Sequence, residues 1–153
     1  MSYRKYKNQF YRREGFDLKC DYGKGFVTTP CFYCGEPAAS EDHVFPLVAL
    51  DSLLCEGSAP KGSDVLTIVP SCLECNSLAG DKVFNTREEK KRYIQRRLQN
   101  RYRDVLHQEV WDDDELAEMH GDLHRWITQS EVERRRVQSR IGYFKVLSLR
   151  RKK

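Results

Sequence analysis

Two cysteine pairs at the same internal spacing, Cys31-x-x-Cys34 and Cys72-x-x-Cys75, restrict this chain more than any other feature. Two residues between thiolates let one tight turn aim both sulfurs at a single ion, and two such turns complete a tetrahedral all-thiolate site. The long segment between the pairs is no obstacle. Doubling a loop costs only ~0.6 kcal/mol of closure entropy, whereas a structural zinc contributes ~10 kcal/mol or more. A closed four-cysteine zinc has no open coordination position, so it holds structure and performs no chemistry itself. A thioredoxin-like redox motif would need only one pair, opening a helix in a βαβ setting, and "TPCFYCGEP" offers no such setting. Cys20 and Cys55 lack a partner at this spacing and are left outside the site.

Reading the thiols as ligands depends on compartment. No apolar run approaches the ~20 residues that span a bilayer, and "MSYRKYKNQFYRRE" has no apolar segment after its charges, unlike a secretory signal. The expected location is the cytoplasm, where thiols stay reduced, with no membrane partner. A chain of 153 residues, 39% hydrophobic and 33% charged, is expected to form one domain of ordinary size with a helical extension.

The net charge of +4 is modest, but its distribution is informative. Positive charge gathers in the N-terminal arm (Arg4, Lys5, Lys7, Arg12, Arg13), along "REEKKRYIQRRLQNRYR", and at the end in "ERRR" and "LRRKK". The arm interleaves its cations with Tyr3, Tyr6, Phe10 and Tyr11. Such a pattern suits a polyanion whose phosphates want Lys or Arg and whose bases can stack. Solvated helix faces are the alternative for any single run; three such regions together favour nucleic acid.

The expected class is α+β, in three parts: a basic aromatic arm over 1–19, a small metal-centred module over 20–84, and a helical region over 85–153. Short β-prone pieces broken by Gly and Pro fill the module, with "VLTIVP" as a strand closed by Pro70 and a helix running from near Ser71 to near Gly80. Thr86 with Glu89 forms a capping box, and Tyr93, Ile94, Leu98, Tyr102, Val105 and Leu106 follow as an apolar stripe at helical spacing. Asp112 with Glu115 repeats the capping signal ahead of Leu116, Met119, Leu123, Trp126 and Ile127. Ser130 is the expected cap of a third helix reaching about Tyr143, with Val132, Val137 and Ile141 facing inward.

Taken together, "CFYCG", "EDHVFPL" and "TIVPSCLECN" resemble the HNH endonuclease family, the ββα-metal or His-Me finger nucleases, in its zinc-bearing branch. The resemblance covers roughly residues 28 to 84 and implies a zinc-stabilised ββα-metal module. It implies that His43 is the general base, that Asp42 and Asn76 hold a catalytic Mg²⁺ or Mn²⁺, and that Cys31, Cys34, Cys72 and Cys75 hold structural zinc. Thr67 stands where the family's middle Asn usually does. The chemistry is coherent in itself: Mg²⁺ prefers oxygen ligands and retains several waters, and a histidine with an ordinary pKa near 6.5 can accept a proton at neutral pH. Because adjacent residues on a regular strand point to opposite faces, Asp42 and His43 could serve one site only through a strand end or local twist near Pro46.

The implied activity is metal-dependent hydrolysis of DNA phosphodiesters, leaving 5′-phosphate and 3′-hydroxyl ends, with RNA not excluded as substrate. Lys82, Arg87, Lys90, Lys91, Arg96 and Arg97 are the candidate phosphate contacts, the helical cations being weighed against a merely solvated face. Rival readings are a junction-resolving nuclease acting as a homodimer or within a larger nucleoprotein complex, and a non-catalytic zinc module that binds nucleic acid. His120 and His124, four apart, are read as packing residues, and Asp112, Asp113 and Asp114 as a negatively charged helix start.

Overall fold

The computed structural model describes the chain at residues 12–13, 29–49, 64 and 66–150. Most of the expected N-terminal arm, Cys20 and Cys55 lie outside the described residues. The chain divides into two compact units, Met1–Arg97 and Leu98–Lys153.

In the first unit, three strands form a mixed sheet in the order β1-β3-β2. β1 is Arg12–Arg13, β2 is Ser40–His43 and β3 is Thr67–Ser71. β1 runs parallel to β3, with Arg12 opposite Thr67, which gives part of the basic arm a place in the sheet. β2 runs antiparallel to β3, pairing Ser40 with Ser71, Asp42 with Val69 and His43 with Ile68. All five residues of β3 are buried, as expected of a central strand covered on both faces. Pro70 does not close this strand; pairing continues to Ser71. Proline is tolerated there because β1 pairs only with Thr67 and Ile68, so no β1 partner awaits the missing N–H. Pro70 instead uses its carbonyl, accepting from Phe32 N at 2.9 Å.

Helix α1, Leu73–Ala79, follows β3 after a single residue, and Gly80 ends it with φ +53°, a conformation that favours glycine. Helix α2, Arg87–Arg101, starts at the expected capping box: Thr86 Oγ1 accepts from Glu89 N at 3.2 Å. The return bond lands one residue earlier than in the standard motif, from Asn85 N to Glu89 Oε2 at 3.3 Å. Asp64 also accepts from Arg87 N at 3.0 Å. Ile94 and Leu98 are the fully buried members of the expected stripe.

The second unit contains the short helix α3, Arg103–Leu106, then α4, Asp113–Glu118, and α5, Gly121–Arg150. The Asp112–Glu115 capping box is present in both directions, at 2.8 and 2.9 Å. The stripe from Leu116 to Ile127 is split between two helices, because Met119 is extended and Gly121 has φ +66°. Conversely, Ser130 starts no helix, since α5 passes through it unbroken for 30 residues, about 45 Å at 1.5 Å per residue. Val137 and Ile127 are buried, whereas Leu123, Trp126 and Val132 are exposed. Among the described residues, no helix is long and apolar enough to cross a membrane.

Candidate metal centre and the strand it supports

The first cysteine pair sits in a hairpin closed by Ala38 N donating to Thr29 O at 2.9 Å. Inside it, Cys31 N donates to Glu36 O at 2.6 Å and Gly35 N to Cys31 O at 2.9 Å. Gly35 turns the chain at φ +77°, where a side chain would be strained. The second pair joins β3 to α1. Cys72 is the N-cap, and its sulfur accepts from Cys75 N at 3.4 Å. One residue therefore caps the helix and offers a ligand.

All four sulfurs lie within 4.8 Å of one another, and Cys34 and Cys72 approach to 3.7 Å. A tetrahedron with Zn–S bonds of ~2.3 Å has S···S edges of ~3.8 Å. Cys31, Cys34 and Cys75 are buried. The Cys31 thiol is held far below its ordinary range, chiefly by hydrogen bonding from Cys34 and then from Cys72 and Cys75. Cys34 and Cys75 are pushed up, chiefly by their hydrogen bonds to Cys31. Cys72 is lowered as well, to about 7, and a divalent ion bound by the four sulfurs would favour their deprotonated form. The donor set and spacing fit a metal ion, and sulfur ligands in this geometry suit zinc. Among the described residues, no other group of three or more His, Cys, Asp or Glu side chains lies close enough to hold a metal. His120 and His124, expected from the sequence to be packing residues, are exposed.

Strand β2 lies at the edge of the sheet, and side chains from two helices cover its outer carbonyls. Asn76, on α1, donates through Nδ2 to Glu41 O at 3.4 Å and to Ser40 Oγ at 3.2 Å. Lys90, on α2, donates through Nζ to His43 O at 2.6 Å. Carbonyls two residues apart point to the same side of a strand, so one amide and one ammonium serve the same edge. These bonds bring Asn76, Asp42 and His43 into one neighbourhood, although Asn76 is distant from the other two in sequence.

The regular pairing of β2 decides the orientation of its side chains. Asp42 is 4% exposed and His43 is half-buried; as neighbours on a paired strand they face opposite ways. β2 ends at His43, its last residue paired with β3, three residues before Pro46, so the expected strand end is present. Both oxygens of the Asp42 carboxylate have partners: Oδ1 receives the Lys90 ammonium at 2.9 Å, and Oδ2 accepts from the Tyr33 hydroxyl. Burial pushes the Asp42 carboxyl up, while Lys90 and Tyr33 oppose that shift. Tyr33 is itself pushed well up, first by burial and then by the Asp42 charge, so its phenol stays protonated and donates. As the chain holds it, Asp42 does not fit the catalytic Mg²⁺ or Mn²⁺ that the family resemblance implies.

The candidate phosphate contacts separate into two groups. Lys90 and Lys91 are each 2% exposed, which removes them from any surface facing a polyanion. Lys91 places its ammonium 4.5 Å from the centre of the Phe32 ring, and Arg87 engages Glu88 at 3.2 Å and lies 3.8 Å from Asp64. Lys82, Arg96 and Arg97 are exposed, with Lys82 lying over the Tyr93 ring at 4.4 Å. A sequence signal for the buried lysines was present. Lys90, Ile94 and Leu98 recur every four residues, which places Lys90 on the apolar face of α2. Tyr33, the other residue holding Asp42, has no comparable signal; it is simply the second spacer of Cys31-x-x-Cys34.

No protein-family model, curated protein or solved structure matches this chain.

Proposed function

We propose that the first unit is a zinc-stabilised nuclease module of the HNH type, hydrolysing phosphodiester bonds in DNA with His43 as the general base. The observation that carries this reading is the convergence of Asn76 on the β2 edge one residue from Asp42, in a strand–strand–helix unit bracketed by four cysteines. A purely nucleic-acid-binding zinc module needs neither a histidine at the end of that strand nor an amide aimed at it.

In this reading the imidazole of His43 takes a proton from water. The water oxygen attacks phosphorus as the bond to the 3′-oxygen breaks, and the leaving 3′-oxyanion takes a proton from solvent, giving a 5′-phosphate and a 3′-hydroxyl. Histidine suits the task because its ordinary pKa near 6.5 leaves it neutral at pH 7. Asn76 and Lys90 fix the backbone from which His43 projects, and the exposed Lys82, Arg96 and Arg97 supply phosphate contacts. Zinc holds the two knuckles together. Asp42 contributes as a buried anchor, and no step is assigned to a metal bound there. RNA presents the same phosphodiester and stands as an alternative substrate.

The test is plasmid nicking by zinc-loaded protein with Mg²⁺, Mn²⁺ or EDTA, comparing wild type with His43→Ala. Wild type is expected to nick under at least one of these conditions, and the folded variant to be slower by about 10²-fold or more. Equal rates for the two proteins, or no cutting under any metal, would remove this reading.

A further inference from the structure

We infer that Lys90 is the built-in counter-cation of Asp42 and excludes a divalent metal from that carboxylate. The inference rests on the proposed nuclease reading for its relevance to catalysis, but its geometry stands by itself. Lys90 Nζ lies 2.9 Å from Asp42 Oδ1 and 2.6 Å from His43 O. Both side chains are almost wholly buried, at 2% and 5% exposure. The other carboxylate oxygen takes the Tyr33 hydroxyl. A metal approaching Asp42 would therefore meet a cation already in contact with the carboxylate and a phenol on its second oxygen.

Lys90 is not placed there by chance rotation of a surface side chain. Its helix is tied at the N-terminus by Asp64 and Thr86, which accept from Arg87 N and Glu89 N. One and two turns further on, Ile94 and Leu98 are buried on the same stripe. An ammonium and a divalent ion cannot both touch one carboxylate oxygen without strong repulsion in a site so poorly solvated. The two cations are thus mutually exclusive: Asp42 takes a metal only when Lys90 has withdrawn. Lys90 would then set both the metal affinity of the site and, through the His43 carbonyl, the position of the base.

The test measures Mn²⁺ binding by electron paramagnetic resonance on the full-length zinc-loaded chain, wild type against Lys90→Gln. Glutamine retains an amide donor for Asp42 and His43 O while removing the charge. The variant is expected to bind Mn²⁺ about tenfold or more tightly than wild type, and Asp42→Asn in the Lys90→Gln background should abolish that gain. Equal or weaker binding by Lys90→Gln, or no Mn²⁺ binding by either protein, would overturn the inference.

Should Lys90→Gln fail to retain zinc or helix content, acetylation of wild-type lysines read by mass spectrometry answers the same question. Lys90 should resist acetylation without Mn²⁺ and become labelled as Mn²⁺ saturates the site; continued protection under saturation would overturn the inference. The two proposals fail separately. Nicking by wild type with equal Mn²⁺ affinities would end the role of Lys90 and leave the nuclease standing. Tighter binding by Lys90→Gln with no cleavage by any variant would do the reverse.

Discussion

The two units of this chain are held together by different kinds of interaction. In the first, the decisive contacts join residues far apart in sequence: four sulfurs from two knuckles, Asn76 to Glu41, and Lys90 to Asp42 and His43. In the second, most of the polar bonds are local. Asp112 caps Glu115, Glu131 pairs with Arg134 and Arg135 at 2.8 and 2.9 Å, and the Thr128 hydroxyl donates to His124 O at 2.8 Å. Tyr102 and Arg140, 3.3 Å apart, form a long-range bond beside them. A unit stapled by distant contacts should lose its structure as a whole when one staple is removed. A unit built from local caps and a long helix should lose it piecemeal.

The largest expected effect follows from breaking the sulfur cluster. Cys75→Ser should remove zinc and unfold the first unit, since a structural zinc site contributes ~10 kcal/mol or more. Helical signal from α5 should persist, because α5 lies in the other unit. Metal content and circular dichroism measured together decide the point: zinc retained at wild-type level would refute the four-cysteine site, and loss of all helix would refute the contrast between units.

The next effect is smaller and remains within the first unit. Asp42→Ala leaves the Lys90 ammonium buried without its carboxylate, a change that costs about 3–5 kcal/mol. Urea unfolding of the zinc-loaded protein should show it, and a loss below about 1 kcal/mol would mean that Lys90 escapes to water.

The smallest effect belongs to the second unit. Asp112→Ala removes one half of a capping box at the start of a six-residue helix, worth about 1 kcal/mol. Hydrogen exchange should quicken at Glu115 and Leu116 while amides of β2 and β3 stay protected. Accelerated exchange in the strands as well would mean that the two units do not respond independently.

What the sequence could specify, it specified through short-range rules. Cys-x-x-Cys spacing depends on one turn, so both knuckles were legible. The capping boxes depend on side chains three residues from the backbone N–H groups they satisfy, so Thr86–Glu89 and Asp112–Glu115 could be read directly. The ends of α1 were legible for the same reason, Gly80 being a residue that tolerates positive φ. The unbroken course of α5 through Ser130 was not, because serine is only mildly unfavourable inside a helix and signals a start only when the preceding chain is not already helical.

The partners of Asp42 belong to tertiary structure alone. Nothing near "EDHVFP" names Tyr33 or Lys90, and the charge of Lys90 argued for a surface that its helical spacing contradicted. Strand pairing decided that Asp42 and His43 face opposite ways, and Lys90, reaching from α2, placed an ammonium on the Asp42 carboxylate. Sequence alone determined the cysteine pairs and the helix caps, because those depend on neighbours a few residues away. Tertiary structure decided which charge meets which carboxylate, because burial leaves a charge no choice but to find its partner, however distant along the chain.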